Sequence, residues 1–274
     1  MIGCTKLLCG QATVSEAIKH RGQDRDIPPQ LLQFSATNRP LVVWNMTNRC
    51  NLKCMHCYIK AEDRKYQDEL TTEEAKAFIC DLAQMKVPVL LFSGGEPLLR
   101  KDIFELGSLA ADLGLRPVIS TNGTLIDSAT ARNIKAAGFQ YVGISIDGGP
   151  ETHDRFRMIP GAFEMALRGM RICLDYGIKT GIRFTVNKYN QEDLPEIFDL
   201  VEKEGIPRFC MYHLVYAGRG AEMTDMDTST EEKQAILDYV CQKTVELANK
   251  GIQTEILTTD NHADGIYLLN RIKA

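Results

Sequence analysis

Three cysteines stand at positions 50, 54 and 57 in the stretch CNLKCMHCY. Three thiolates are one ligand short of a closed tetrahedral metal site. A zinc site of three cysteines and one histidine would have to recruit His56, which adjoins Cys57 and is badly placed to share its ion. Covalent haem attachment needs a histidine directly after the second cysteine of a CxxC pair, where Tyr58 stands. Iron–sulfur clusters are normally held by four thiolates. With three, one iron keeps an exchangeable position, and that position is for something that reacts.

Other stretches able to do chemistry follow in order. In SGGEP (Ser93–Pro97) the glycines let the backbone approach a ligand closely, and Glu96 can accept from an ammonium group. STNG (Ser120–Gly123) and SIDG (Ser145–Gly148) bring hydroxyl, amide and carboxylate groups to strand ends. Arg157 lies in HDRFRMIPGAF with Arg155 two residues before it, and Asn187 opens the turn of VNKYN. Any one of these has an ordinary turn as its plain alternative. Their succession on consecutive strands is harder to explain that way. Cys80, Cys173 and Cys241 sit in helical patterns and Cys210 in a strand, so they read as core. Cys4 and Cys9 have a C-x4-C spacing that a second cluster can use, although two small apolar residues in an N-terminal segment explain them as well.

The elements that must position these groups alternate regularly. Apolar, β-branched runs occur at Leu41–Thr47, Val87–Ser93, Arg116–Thr121, Tyr141–Asp147, Lys179–Asn187 and Pro207–Val215. They are nearly continuous in hydrophobicity, as parallel strands covered on both faces are. Amphipathic stretches lie between them. One starts at Thr71-Thr72 with Glu74 placed for a capping box, and four end at Gly114, Gly138, Gly177 and Gly205. Repeated βα units with right-handed crossovers predict a partial (β/α)6 barrel, TIM-like, with outer helices; a doubly wound open sheet is the alternative. The expected organisation is an N-terminal extension over 1–40, the barrel over 41–220, and a C-terminal helix and strand (GIQTEIL) over 221–274. His20–Pro29 is polar, and Pro28-Pro29 breaks any helix there.

The bulk numbers permit this. The 274 residues are 44% hydrophobic and 25% charged, enough for a core that needs no disulfides. A net charge of −4 argues against a general nucleic-acid binder. Nine cysteines, an odd number without disulfide spacing, and no apolar run near the ~20 residues of a membrane span read as a reducing, cytoplasmic compartment.

Taken together, CNLKCMHCY, SGGEP, STNG and SIDG resemble the radical S-adenosylmethionine (SAM) superfamily across about Leu41 to Val215. The resemblance implies a [4Fe-4S] cluster on Cys50, Cys54 and Cys57, whose open iron chelates the amino and carboxylate groups of SAM. An electron from the cluster would cleave SAM to a 5′-deoxyadenosyl radical that abstracts hydrogen from substrate. The SAM contacts it implies are Tyr58, Ser93, Gly94, Gly95, Glu96, Pro97, Ser120, Asn122, Ser145, Asp147, Arg157 and Asn187, and an external donor such as ferredoxin or flavodoxin supplies the electron.

Two further stretches, MIGCTKLLCGQATVSEA and YHLVYAGRGAEM, resemble the haem-biosynthesis branch, nearest to the didecarboxysiroheme deacetylases that form iron-coproporphyrin III. This implies an iron tetrapyrrole substrate losing acetate side chains. Its carboxylates would call on Arg183, Arg208, His213 and Arg219, with His213 either a structural histidine or an axial ligand to the iron. Members of that branch carry a cysteine-rich C-terminal extension for an auxiliary cluster. Here the last cysteine is Cys241, so either the chain is a truncated form or that site is absent. Other readings are a peptide-modifying radical SAM enzyme, an enzyme of the haem d1 or haem synthase kind, and a non-catalytic metal-binding module.

Overall fold

The structure, a computed structural model, describes residues 1–10 and 39–273. The polar segment His20–Pro29, and the part of the N-terminal resemblance beyond Gly10, lie outside these residues. One curled sheet holds eight strands in the order β1-β8-β7-β6-β5-β4-β3-β2. The strands are β1 (Ile2–Gly3), β2 (Val42–Asn45), β3 (Val89–Ser93), β4 (Arg116–Thr121), β5 (Val142–Ser145), β6 (Thr180–Val186), β7 (Arg208–His213) and β8 (Glu255–Thr259). From β2 to β8 every pairing is parallel and between sequence neighbours. The order never reverses, so the sheet lacks the switch point of a doubly wound fold and curves as a partial barrel.

Nine helices accompany the strands among the described residues: α1 (Cys4–Cys9), α2 (Thr72–Gln84), α3 (Ile103–Asp112), α4 (Ser128–Ala136), α5 (Pro150–Arg157), α6 (Ala162–Asp175), α7 (Leu194–Lys203), α8 (Thr230–Asn249) and α9 (Ala263–Lys273). Capping boxes start two of them, Thr71 with Glu74 and Ser229 with Glu232. Gly114, Gly138, Gly177 and Gly205 all take positive φ at the predicted stops.

Alternation along the strands divides core from site. Phe92, Ile119, Ile144, Phe184 and Phe209 are fully buried in the main core beneath the helices. Residues of opposite parity, among them Asn45, Ser120, Ser145, Arg183 and Tyr212, face the concave side. The near-continuous apolar runs therefore cover one face of a curled sheet, and the polar minority lines the other.

The N-terminal segment is more regular than its sequence predicts. β1 pairs antiparallel with β8, Ile2 opposite Thr258, and α1 buries Cys4 completely in the core. Thr5 Oγ1 donates to Thr254 O at 3.2 Å and accepts from Ile256 N at 2.8 Å, which fixes the segment to the last strand. The predicted strand GIQTEIL starts later than its first residue, because Gly251 (φ 75°) is still ending α8. No helix among the described residues is long and apolar enough to cross a membrane.

Candidate active site

The loop after β2 carries the three cysteines and is held from three sides. On the β3 side, Met46 N donates to Ser93 O at 3.0 Å, Gly95 N to Thr47 O at 2.7 Å and Glu96 N to Arg49 O at 2.8 Å. The two glycines are needed for this contact. A Cβ on Gly94, whose φ is 129°, would lie 2.3 Å from Thr47 O, and one on Gly95 would lie 2.2 Å from Arg49 O. The close approach expected of a ligand at SGGEP is thus taken by the cysteine loop itself.

From the α5 side, Phe156 O accepts from Met55 N at 3.0 Å, and the His56 ring stacks on Phe156 at 4.4 Å between centroids. The third brace comes from the 3₁₀ segment Gly218–Met226 after β7. There Arg219 N donates to Cys57 O at 2.8 Å, its Nε to Cys54 O at 2.8 Å and its Nη1 to Ala61 O at 3.0 Å. This places Arg219 on the loop, whereas its sequence context suggests a substrate carboxylate.

Each sulfur receives a nitrogen donor. Leu52 N donates to Cys50 Sγ at 3.4 Å, Arg157 Nη1 to Cys54 Sγ at 3.4 Å and Ala61 N to Cys57 Sγ at 3.4 Å. Asn122 Nδ2 adds a longer contact of 3.9 Å to Cys50. Such donors favour the thiolate and orient it as a ligand. Burial pushes the Cys50 thiol up to about 12, a cost that metal binding would relieve by removing the proton. Among the described residues no three His, Cys, Asp or Glu side chains converge on a single ion.

Two buried carboxylates stand at the tips of β3 and β5, with β4 between them. Glu96 accepts from Thr121 Oγ1 at 2.7 Å, Asn122 N at 2.8 Å and Leu98 N at 3.1 Å. Burial pushes its carboxyl up to about 7 even though these donors favour the anion. Asp147 accepts from Thr185 N at 2.7 Å and forms a short ion pair with Arg157. Burial works against the Arg157 charge, but Asp147 and the Cys54 sulfur more than offset it and raise its pKa. His153 accepts from Asp147 N at 3.0 Å, which requires a neutral ring. Burial, then Arg157, pushes it down to about 3.

Asn122, Ser120, Ser145, Asp147, Arg157, Ser93 and Cys50 thus come together around the loop at the C-terminal ends of β3, β4 and β5. Asn187 is buried nearby with its amide spent locally, donating to Thr185 O at 2.9 Å and accepting from Tyr189 N at 2.9 Å. Tyr58 is half exposed and donates to Asn45 Oδ1 at 2.8 Å, and Pro97 opens the 3₁₀ turn Pro97–Leu99. Arg155 points away, over the Tyr189 ring, beside a cavity of about 80 Å³ lined by Met55, Glu151, Thr152 and Phe156. His213 faces α9, where its Nε2 meets Asp264 at 2.8 Å. It is a buried structural pair, on the opposite face of β7 from Arg183's neighbours Cys210 and Tyr212.

Residues the sequence did not single out complete the arrangement. Asn51 accepts from Asn122 Nδ2 at 2.9 Å and donates to Thr124 at 2.9 Å. The buried Asn190 donates to Asp147 O at 3.1 Å. Short polar side chains next to the motifs were the available signal.

A family model, "Radical SAM superfamily", matches residues 44–201. The chain is 53% identical over 99% of its length to a Fe-coproporphyrin III synthase of Methanosarcina barkeri, covering 68% of that protein. It is 43% identical over 90% of its length to a pre-heme d1 synthase of Dinoroseobacter shibae, covering 61% of it. By structure it matches SuiB of Streptococcus suis, solved with S-adenosylmethionine, at a TM-score of 0.68 and 18% identity, over 81% of this chain and 50% of that one. The cysteine loop, the strand tips around it and these matches have one reading: the chain belongs to the radical SAM superfamily, among its haem-pathway members.

Proposed function

We propose that Cys50, Cys54 and Cys57 hold a [4Fe-4S] cluster with SAM beside it, and that the protein starts hydrogen abstraction from an iron tetrapyrrole, removing acetate side chains from didecarboxysiroheme. The observation that carries this is the set of three donors at 3.4 Å, one on each loop sulfur. The donor set fits a cluster with one iron left open. Bound there, the cluster would supply the single electron for reductive cleavage of SAM, whose adenosyl fragment supplies the hydrogen-abstracting group.

The chain's own residues hold and shield. Arg157 keeps positive charge against the Cys54 sulfur, and Asp147 keeps Arg157 in place. Glu96, Asn122, Ser120 and Ser145 offer acceptors and donors at the rim for the amino acid and ribose of SAM. Leu52 and Ala61, buried with the loop cysteines, exclude water from the sulfurs. The tetrapyrrole is inferred from the 53% identity to the Fe-coproporphyrin III synthase.

Anaerobic reconstitution tests this reading. It requires about four irons per chain, 5′-deoxyadenosine from SAM with dithionite, and iron-coproporphyrin III from didecarboxysiroheme. Zinc without iron, with SAM left intact, would overturn the cluster. Turnover of a peptide but no tetrapyrrole would overturn the substrate. The pre-heme d1 relative motivates a second product, which mass spectrometry separates from the first.

A further inference from the structure

Among the described residues, the concave face of the sheet carries more positive charge than it neutralises. On β7, Arg208, Cys210 and Tyr212 point into the lumen, while Phe209 packs outward on Phe198 of α7. Arg183 of β6 lies beside Cys210 in register. Its guanidinium sits 4.3 Å from the Tyr212 ring, and that of Arg208 sits 4.6 Å from the Tyr141 ring. Arg208 is also ion-paired with Glu255 of β8. Arg116, at the start of β4, is close enough to Arg208 and Glu255 to feel both charges. Arg208 and Arg116 therefore share one carboxylate, and Arg183 has tyrosines and Cys210 around it but no carboxylate among the described residues.

The excess falls on Arg183 and Arg116. Neither forms an ion pair or a hydrogen bond with any described residue, and the Arg116 Nε is buried without a partner. Stacking on tyrosine recovers only part of what a partly desolvated cation loses. A free guanidinium fork in such a place matches a planar carboxylate. Gly143 keeps the approach clear: a Cβ there would lie 2.8 Å from Arg183 Cδ.

We infer that the lumen wall is a carboxylate-recognition surface, in which Arg183 and Arg116 each receive a carboxylate of an anionic substrate. Arg208, already neutralised by Glu255, holds Tyr141 against the wall as a positioning residue. This rests on the tetrapyrrole reading above and adds to it the residues that determine specificity. The wall lies below the cysteine loop, so a macrocycle anchored by its side-chain carboxylates presents its rim to the strand tips where SAM is proposed to sit.

The test is an absorbance titration of reconstituted full chain with coproporphyrin III and, separately, with its tetramethyl ester, which keeps the ring and removes the charges. The native chain should prefer the tetraacid. Arg183→Gln should weaken tetraacid binding by about tenfold to a hundredfold, the range of one charge-assisted hydrogen bond, and leave the ester's affinity unmoved. Arg116→Gln should do the same, and Arg183→Lys should recover part of the loss. A variant that has merely lost its fold would bind acid and ester equally poorly and lose its cluster absorbance. Equal binding of acid and ester by the native chain, unchanged in Arg183→Gln, would overturn the wall and leave the tetrapyrrole reading standing. Binding of neither porphyrin would overturn both.

Discussion

Arg157 donates to the Cys54 sulfur at 3.4 Å across 103 positions of sequence, and the same guanidinium is ion-paired with Asp147. The end of α5, the tip of β5 and the middle of the cysteine loop are thereby one electrostatic unit. Removing one partner of a buried pair leaves the other charge uncompensated, at a cost of about 3–5 kcal/mol. Arg157→Gln is expected to lower the unfolding free energy by that amount and to cut the rate of 5′-deoxyadenosine formation at least tenfold. Arg157→Lys keeps the charge but not the fork, and should fall between. Denaturant unfolding and product chromatography read the two effects; a native rate in Arg157→Gln would remove this residue from the site.

Cysteine replacement separates loop from core. Cys50→Ala, Cys54→Ala and Cys57→Ala should each lose most of the reconstituted iron. Cys80→Ala, on α2 and away from the loop, should keep it. Iron analysis after gel filtration decides, and equal loss from the Cys80 variant would mean that the ligands are misassigned.

The glycines of SGGEP offer a steric test. Gly95→Ala drives a Cβ to 2.2 Å from Arg49 O, so the loop must shift. An expected loss of about 2–4 kcal/mol, accompanied by reduced iron uptake, follows from overpacking against backbone. Gly177→Ala is the control. It faces open space and meets only the strain of its φ of 68°, about 1 kcal/mol. Thermal unfolding of both variants checks the ranking.

His153 makes a prediction about pH. Its ordinary pKa of 6.5 drops to about 3 in the fold. Between those values the unfolded chain binds a proton that the folded chain does not. Stability should therefore fall as pH falls through that window, by up to about 1.4 kcal/mol per unit, and be unaffected by this group above 6.5. His153→Asn, which can accept from Asp147 N without titrating, should flatten the slope by up to one proton. Urea titrations at stepped pH measure it; identical slopes would mean that the ring is not held neutral.

The six central strands and the cysteine loop were legible because parallel strands and glycine-stopped helices leave long, repeated patterns. β1 was not, since two residues cannot show an alternation. The roles of Gly94 and Gly95 were hidden for a different reason. A glycine that admits a ligand and one that admits another stretch of backbone look the same in sequence. Arg219 shows the same gap: the carbonyls it bonds lie 165 and 158 positions upstream, and only the folded path of the 3₁₀ segment brings them near. His213 reads as a structural buried histidine or an axial ligand, and its partner Asp264 lies on a helix that the sequence does not signal.

The pairing of β1 with β8 sets an order of events during synthesis. Thr5 meets its partner Thr254 only after 249 further residues have been made. Strands β2 to β7 pair with sequence neighbours and can assemble as they emerge, and every brace on the cysteine loop lies between Met46 and Arg219. The entropy of closing the long remaining loop grows only logarithmically with its length, so the ends can meet late at little cost in stability. The thiols can therefore be arranged before the first residues of the chain latch onto the last strand.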